Sequence, residues 1–378
     1  MSNILYHSSR PLNDNINGFQ EFDTIDFEIQ DDGRKLMANS VYIEGDVEVF
    51  SAGTTSLVRG SKIGVNNTIG FHSFFESFSV DMKMGQNVQN ISYYPKYVNI
   101  VNTASNNIGS VYSPMSQAEG LQCTQEAGRY VLQPVHASHR SGTNLQNVRR
   151  DSQFCIKPKI CLNNMYGDSY SFSKNGAIRV SCNLARNGTA LMGNDVGANS
   201  NYKIKNIRLK YITVIDDGKQ GNILMNSVVS VKQTMSSGSA NLSVKVPSKS
   251  VTGVIVSYIS QANENSLIND SYKLENIPNL DEIVYLFSDS QSKYVSYSLT
   301  SKDDMLKKGI EALSESGVKC KVNSFKAKNA EGIIHGLNFQ SAIDLSNNKF
   351  AVNLRSSSSN ISTNQINVYM HFLTIMSL

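Results

Sequence analysis

Short stretches in which apolar and polar residues alternate recur along this chain. Between residues 41 and 49, apolar Val41, Ile43, Val47 and Val49 alternate with Tyr42, Glu44, Asp46 and Glu48. A period of two with β-branched side chains is typical of a strand with one buried face. Weaker or shorter patterns of this kind predict strands at 22–30, 177–181, 202–215, 228–235, 241–246, 283–288, 294–299 and 350–354.

Two segments are apolar at nearly every position. They are 253–259 (GVIVSYI) and 366–376 (INVYMHFLTIM). A continuous apolar run of this length is expected where a strand is covered on both faces. We therefore expect both segments to lie inside a sheet, and the second to lie at its centre.

A long aromatic strand follows an asparagine-rich turn near residue 66. Phe74, Phe78, Val80 and Met82 fall on alternate positions, and only Glu76 interrupts them. A polar Met-Gly-Gln-Asn turn comes next, followed by the tyrosine-rich segment 93–97, YYPKY. This segment reads as the end of a strand.

One helix is predicted, over residues 301–313. Ser301 and Asp304 form a pair that resembles a capping box. The apolar residues that share one face are Met305, Leu306, Ile310 and Leu313. Gly309 lowers the helix propensity.

These strands are too short and too closely spaced for βαβ units, so the pattern favours an all-β sandwich or barrel. The polar residues 1–20 predict a flexible N-terminal arm. Residues 104–175 lose clear periodicity and predict a surface insertion, and 261–335 predict an accessory segment that carries the helix. The remaining segments, 21–103, 176–260 and 336–378, would build the main sandwich.

The amino-acid composition excludes some classes of protein. Apolar residues make up 40% of the 378 residues, which excludes a disordered chain, and charged residues make up only 17%. The net charge of +4 has no concentrated basic face, and we expect the basic pair Arg149-Arg150 to lie in a solvated loop. No segment reaches the roughly 20 apolar residues of a membrane span, and the N-terminus lacks an apolar signal core. Five cysteines without a CxxC pair predict free thiols in a protein made in the cytoplasm.

One group of residues has the chemistry of a zinc site. His136 and His139 are close in sequence, and Cys123, Cys155 and Cys161 flank them. Structural zinc sites place two pairs of ligands at tight spacing, and here only the histidine pair is close. We therefore expect exposed histidines and ordinary thiols, and no metal.

The sequence gives equally weak support for a catalytic site. The pairs Asp31-Asp32 and Asp216-Asp217 each precede a glycine, which predicts turns rather than paired catalytic carboxylates. His72 is expected to be a structural hydrogen-bonding residue. Tyr93, Tyr94 and Tyr97 could stack on sugars or bases, but packing at a strand end or a subunit contact is the favoured interpretation. We expect no catalytic residues, no cofactor and no enzymatic activity.

Four blocks resemble a known family. The block 63–99, IGVNNTIGFHSFFESFSVDMKMGQNVQNISYYPKYVN, is similar to a signature of jelly-roll capsid proteins from double-stranded DNA viruses of the Polinton and virophage lineage. In those proteins an asparagine pair and a His-Ser-hydrophobic-Phe block open a long strand that ends before a Tyr-Pro segment. Further blocks at 175–215, 228–260 and 336–373 follow in the family's order and bring the resemblance to roughly half of the chain.

The resemblance is greatest to the penton-type, or minor capsid, proteins of these viruses. It implies a single jelly roll with an inserted or accessory domain, homopentamers at the icosahedral vertices of a virion, and trimers of a separate double-jelly-roll major capsid protein as neighbours. Packaged DNA and host-surface glycans are further partners that it leaves open. Two alternatives remain: a small major capsid protein that forms trimers, and a β-sandwich attachment or carbohydrate-binding protein on the virion surface.

Overall fold

A computed structural model gives the fold of the chain. It describes residues 4–52, 55–56, 63–66, 69–82, 86–105, 119, 133–134, 151–193, 200–219, 221–235, 239–246, 248, 250–266, 271–272, 274–275, 280–288, 294–320, 334–357 and 366–377. Strands dominate these ranges, which confirms the all-β prediction.

Three large sheets contain most of the strands. The first outer sheet contains β1 (Ile4–Ser9), β3 (Arg34–Leu36), β4 (Tyr42–Ala52), β5 (Thr55–Ser56), β10 (Asp151–Ile156), β12 (Tyr170–Ser171) and β15 (Asn201–Ile215). The central sheet contains β2 (Thr24–Ile29), β7 (Phe75–Met82), β8 (Gln86–Ser92), β11 (Met165–Gly167), β13 (Ile178–Leu184), β16 (Ile223–Met235), β18 (Val251–Ser260), β21 (His335–Ile343) and β23 (Ile366–Ser377). The second outer sheet contains β17 (Ser239–Val244), β19 (Leu280–Ser288), β20 (Tyr294–Leu299) and β22 (Phe350–Ser356).

A small sheet and short helices complete the fold. The small sheet contains β6 (Ile63–Val65), β9 (Gln133–Pro134) and β14 (Met192–Gly193). The α-helices are α1 (Tyr94–Ser105), α2 (Phe172–Asn175), α3 (Asn187–Ala190) and α4 (Lys302–Glu315). Single 3-10 turns span Gly70–Phe74, Cys161–Asn163 and Gln261–Asn263.

The first sandwich packs the first outer sheet on β2, β13, β7 and β8 around one hydrophobic core. Strand β4 shows the predicted alternation, with Ile43 and Val47 fully buried. Gly45 takes the inward position between them. The ring of Phe154 lies 3.1 Å from where a Cβ of Gly45 would stand, so a larger residue would require that ring to shift by a few tenths of an ångström.

A β-bulge explains why β15 alternates well only over its second half. In the first half of β15 even-numbered residues such as Ile204 are buried, whereas in the second half odd-numbered residues such as Leu209 are buried. The register with β4 shifts between Lys205 and Arg208, and Asn206 has a φ of 51° there. The extra residue of a bulge changes the phase of the strand, so the apolar side chains keep facing the core.

The second sandwich packs the second outer sheet on β16, β23, β18 and β21 around a separate core. The two apolar runs lie here as predicted, because β23 is hydrogen-bonded between β16 and β18. Phe372 and Val256 point into the second core, while Leu373 and Ile255 belong to the first core on the opposite face. Helix α4 packs on β18 and β21. Its residues Leu306 and Leu313 belong to the first core.

The helices differ from the prediction in two respects. Helix α4 forms where expected, and Ser301 precedes it, but its side chain makes no capping hydrogen bond, so the capping box is wrong. The carbonyl of Ser301 instead accepts the N–H of Met305 at 3.0 Å. The other difference is α1, which occupies the segment expected to end a strand.

The chain segments are distributed over the sandwiches differently from the expected scheme. β16, β18, β21 and β23, from the predicted main sandwich, surround the second core together with β19 and β20 from the predicted accessory segment. β10 and β12, from the predicted insertion, lie in the first outer sheet. β1, from the predicted flexible arm, pairs antiparallel with β15.

Candidate functional site: the junction of the two sandwiches

The two halves of the central sheet meet at one point of backbone pairing. β8 and β16 run parallel there and pair at Asn90 and Val229. Beyond this point the two halves are in contact through side chains. Helix α1 lies across the sheet and reaches from the first half toward β23. Tyr97 of α1, for example, contacts the buried ring of His371 with 5.6 Å between ring centroids. Burial lowers the pKa of His371 to about 3, so this ring is neutral at pH 7.

A polar group that we call the Glu264 cluster lies on this junction and contains Lys232, Glu264, Asn367 and Tyr369. The Lys232 Nζ lies 2.6 and 2.8 Å from the two carboxylate oxygens of Glu264. Tyr369 donates its hydroxyl hydrogen to the same carboxylate at 2.6 Å, and the Asn367 amide also donates to it. The carboxylate therefore ties β16 and β23 to the turn that follows β18.

Tyr93 brings the first half of the sheet to this cluster. Its ring centroid lies 5.0 Å from that of Tyr369 in an edge-on contact. The Lys232 ammonium lies 5.6 Å from the Tyr93 ring centroid, within the range of a cation–π interaction. Tyr93 has a φ of 56°, so the backbone adopts a left-handed conformation immediately before α1 begins.

Glu76, the residue that interrupts the aromatic strand, faces the same junction from β7. The hydroxyl of Tyr272 lies 3.4 Å from its Oε2 and 3.4 Å from the carbonyl oxygen of Ser73. Burial, and then the negative charge of Glu264, raise the pKa of Glu76 to about 7. The junction therefore contains a carboxyl group that titrates near neutral pH.

A second charged group lies at one end of the first sandwich. The buried Lys35 places its Nζ 2.7 Å from Asp217 and 3.5 Å from Asp168, and 4.0 Å from Asp216. The hydrogen bond to Asp217 raises the pKa of Lys35 against the opposing effect of burial. Both predicted aspartate turns are formed, with Gly33 and Gly218 at positive φ. The ion pairs of Lys35 tie β3 to the turn at residues 216–218 and to Asp168.

His72 has the structural role predicted for it. It is fully buried, and its Nδ1 lies 2.7 Å from the hydroxyl of Tyr94. Burial lowers the pKa of His72, so the ring is neutral at pH 7. Tyr94 also accepts the backbone N–H of Lys159 at 3.0 Å. The tyrosine segment thus packs inside the chain, in line with the favoured interpretation.

The zinc candidates are only partly described. Cys123, His136 and His139 lie outside the described residues, as does the Arg149-Arg150 pair. Cys155 is half-buried in β10, Cys161 is buried, and both are free thiols. Within the described ranges, no group of three or more His, Cys, Asp or Glu side chains could hold a metal ion. The helices in those ranges are also too short or too polar to cross a bilayer.

Several large apolar side chains near the N-terminus are exposed. Tyr6 of β1 is 80% exposed and Ile16 is 99% exposed. Leu5 and Leu12 are exposed as well, as is Phe22, whose ring lies 5.4 Å from the guanidinium of Arg186. Among the described strands β1 pairs only with β15, so it lies at an edge of the first outer sheet beside these apolar side chains.

Sequence reasoning found only part of this site. Glu76 was marked by the break in the apolar alternation. Lys232 and Glu264 carried no signal, because each is an ordinary polar residue within its own segment and they meet only through the fold. No sequence pattern connects residues so far apart along the chain.

The two sandwiches have the jelly-roll fold of viral capsid proteins, which confirms the predicted fold class. The Faustovirus major capsid protein superposes with a TM-score of 0.61 at 10% identity, over 99% of this chain and 90% of that chain. A chain of the Sputnik virophage structure determined by cryo-EM superposes with a TM-score of 0.62 at 9% identity, over 99% of this chain and 85% of that chain. No family model matches the sequence, and no curated protein matches it. At these identities the similarity establishes the fold.

Proposed function

We propose that this chain is a structural subunit of a viral capsid, and that it is the small major capsid protein of its virion. The observation that carries the proposal is the pair of sandwiches with separate cores, which covers almost the whole chain and superposes on 90% of the Faustovirus major capsid protein. The family that the sequence resembles uses two jelly rolls in the major capsid subunit. A penton subunit with one jelly roll has no equivalent of the second core.

The architecture supports a trimer. Each subunit contributes two sandwiches, so three subunits around a threefold axis would present six similar lobes. Such a ring closes through heterologous contacts, in which one surface of a subunit meets a different surface of the next. The resulting outline is pseudo-hexagonal and tiles a shell.

The same assembly accounts for the exposed apolar surface around β1. Large apolar side chains in contact with water mark sites of protein association, and an open strand edge favours pairing with another chain. We propose that neighbouring subunits cover this surface in the virion. The chain would then act by forming a shell, with no catalytic step.

Two earlier predictions stay open beside this proposal. The penton role predicts homopentamers at vertices, and the attachment role predicts binding of glycans. The attachment role emphasises residues 104–175, of which 106–118, 120–132 and 135–150 lie outside the described residues. Packaged DNA and neighbouring capsid subunits remain the proposed partners, and the virion the proposed location.

The experiment is a mass measurement by light scattering, combined with negative-stain images of the same purified protein. A mass near three times the 41.6 kDa of the chain, with pseudo-hexagonal particles, is the expected result. Five-fold rings near five times that mass would replace the major-capsid proposal by the penton prediction. A monomer at every concentration, also in the presence of other capsid components, would contradict both.

A further inference from the structure

A cavity of about 270 Å³ opens between the two halves of the molecule. Its walls come from α1, from the segment 157–164 after β10, from β16 and from the turn that follows α4. It therefore touches elements on both sides of the junction, at a place separate from the Glu264 cluster. Neither the ion-pair networks nor the exposed apolar surface described above extends into it.

Three lysines line this cavity. Lys157 and Lys159 flank Pro158, and Lys319 lies in the turn after α4. Proline fixes its own φ and disfavours helical geometry at the residue before it, so the Lys-Pro-Lys segment is extended. Residues two apart in an extended segment point to the same side, which explains why both lysines line the same cavity.

These positive charges lack ion-pair partners among the described residues, and the Lys157 ammonium lies over the ring of Tyr42, 5.6 Å from its centroid. No described carboxylate lies within 4.0 Å of the ammonium groups of Lys157, Lys159 or Lys319. The nearby Glu119 accepts the backbone N–H of Lys157 at 3.0 Å, and its negative charge attracts Lys157 and Lys159 from beyond ion-pair contact. Burial, and then the charge of Lys159, lower the pKa of Lys157. A negatively charged ligand would relieve this repulsion.

Gln89 supplies an independent polar group at the wall. It is 1% exposed and lines the cavity. Its Oε1 accepts the backbone N–H of Cys161 at 2.6 Å, which leaves the amide nitrogen as a donor. That Nε2 has no hydrogen-bond partner in the part of the chain that the structure describes. A buried donor without an acceptor is costly, and because this nitrogen is shielded from solvent, a ligand oxygen would reach it only after the Gln89 side chain turns toward the cavity.

The remaining wall is apolar. Tyr97, Val101 and Val228 line it, and they belong to the packed face between α1 and β16. The cavity is larger than one phosphate group requires, so a ligand with an uncharged portion fits the combination of a basic and an apolar wall.

We propose that this cavity binds a small phosphate-bearing molecule, of the class of nucleoside polyphosphates or inorganic polyphosphates, and that the bound ligand connects the two sandwiches. Lysine ammonium groups bind phosphate as point charges, and three lysines line this single cavity. A divalent cation is excluded as the ligand by the same charges. The proposal concerns the folded chain itself and does not depend on its role in a capsid.

The test is thermal unfolding of the intact chain at low ionic strength, with tripolyphosphate or ATP as the ligand. A ligand that binds only the folded state raises the melting temperature in proportion to the logarithm of its concentration above Kd. We expect a rise with both ligands. A larger rise with ATP would show that the apolar wall is used, and equal rises would restrict recognition to the phosphates; both results support the site.

Variants test whether the rise in melting temperature comes from binding in this cavity. The double variant Lys157→Gln/Lys159→Gln should lose most of the rise, whereas Lys245→Gln/Lys307→Gln, which removes the same charge from exposed positions elsewhere, should keep it. Gln89→Glu retains the acceptor for Cys161 and adds a negative charge, so it should also abolish the rise. Isothermal titration calorimetry at a temperature where every variant is folded separates lost binding from lost stability.

Three outcomes would overturn the proposal. One is the absence of any rise in wild type. Another is a rise of equal size in both double variants, which would show unspecific screening of charge. The third is an equal rise with citrate at matched ionic strength, which would show that phosphate is not recognised as such.

Discussion

At the scale of single residues, Glu76 is the side chain that most clearly departs from the rules of its element. It occupies a strand whose other inward positions are aromatic or aliphatic, and it faces Glu264 across the junction of the sandwiches. Its pKa of about 7 lies above the ordinary value of 4.5 because burial disfavours the charged form. A raised pKa means that the folded state holds this proton more tightly than the unfolded state.

The pH dependence follows from this shift. The stability that protonated Glu76 contributes is fully present below about pH 4.5 and is lost as the pH rises through about 7. Glu76→Gln removes the titration, so the variant should gain roughly 1–3 kcal/mol relative to wild type between these two pH values. Urea unfolding of both proteins across this range measures the difference. Glu28→Gln on the exposed face of β2 is the control, and parallel curves for Glu76→Gln and wild type would contradict the prediction.

Lys35 gives a second prediction at this scale. Replacing it by methionine keeps the buried stem but leaves Asp168, Asp216 and Asp217 without the shared ammonium. Asp217 is largely exposed, so the loss in free energy of unfolding should be about 2 kcal/mol rather than the larger value of a fully buried pair. Chemical denaturation at pH 7 measures it. The exposed Lys245→Met should change stability by less than about 0.5 kcal/mol, and an equal effect in both variants would refute the role of the network.

Sequence alone could predict the aspartate turns, because a glycine after two aspartates is a local signal. It could also mark Glu76 as exceptional. It could not predict that Glu76 meets Tyr272 and Glu264, or that Lys35 meets the turn at residues 216–218. Those contacts depend on which strands pair, and that pairing is decided by the packing of the whole core.

At the scale of elements, α4 shows how a glycine can favour packing at the expense of helix propensity. A Cβ on Gly309 would lie 2.8 Å from the carbonyl oxygen of Ile334. The Cα of Gly309 in turn lies 3.2 Å from where a Cβ of Gly336 would stand. The helix and β21 therefore approach each other through two glycines.

Gly309→Ala tests this contact. Alanine favours the helix by about 1 kcal/mol, but the new methyl group forces α4 away from a backbone carbonyl. We expect a net destabilisation of about 1–2 kcal/mol, measured by urea unfolding. Lys307→Ala, on the exposed side of the same helix, should stay within about 0.5 kcal/mol of wild type. A stabilised Gly309→Ala protein would show that the close approach is unimportant.

The elements also show where periodicity is informative. β4, β18 and β23 were predictable because their faces are cleanly alternating or uniformly apolar. Helix α1 was missed although Tyr94, Tyr97, Val98 and Val101 have the spacing of one helix face. The tyrosine-rich start resembles a strand, and the polar Lys96 and Asn99 opposite that face are buried in the fold, which the sequence does not show. Pro95 was read as a strand end, although proline is well tolerated in the first turn of a helix.

At the scale of the whole molecule, the division into two sandwiches was beyond the sequence. The strands around the second core come from three successive stretches, 223–260, 280–299 and 335–377, and each strand reads as an ordinary half-buried or buried strand. Only the sheet order shows that these stretches surround a core of their own beside the first sandwich. Jelly-roll strands pair over long sequence distances, so local patterns carry little information about such a partition.

Association gives the prediction at this scale. Tyr6→Ser/Ile16→Ser removes two of the most exposed apolar side chains near β1 and should shift the assembly toward monomer at least tenfold in concentration, about 1.4 kcal/mol. The melting temperature of the monomer should not change, because neither side chain packs in a core. Light scattering over a dilution series measures the shift. Leu224→Ser/Tyr297→Ser, on exposed sites elsewhere, is the matched control, and equal dissociation in both variants would argue against a contact at β1.

The position of β23 constrains the order in which the molecule can form during synthesis. Every described strand of the first sandwich lies within residues 4–215, so these strands leave the ribosome early. β23 comes last among the described strands, yet it is hydrogen-bonded along both of its edges, to β16 and to β18. Until residues 366–377 emerge, β16 and β18 each expose an open edge and a row of apolar side chains. Nascent chains crowded on one message would therefore be most prone to pair wrongly in the interval between completion of the first sandwich and insertion of this strand.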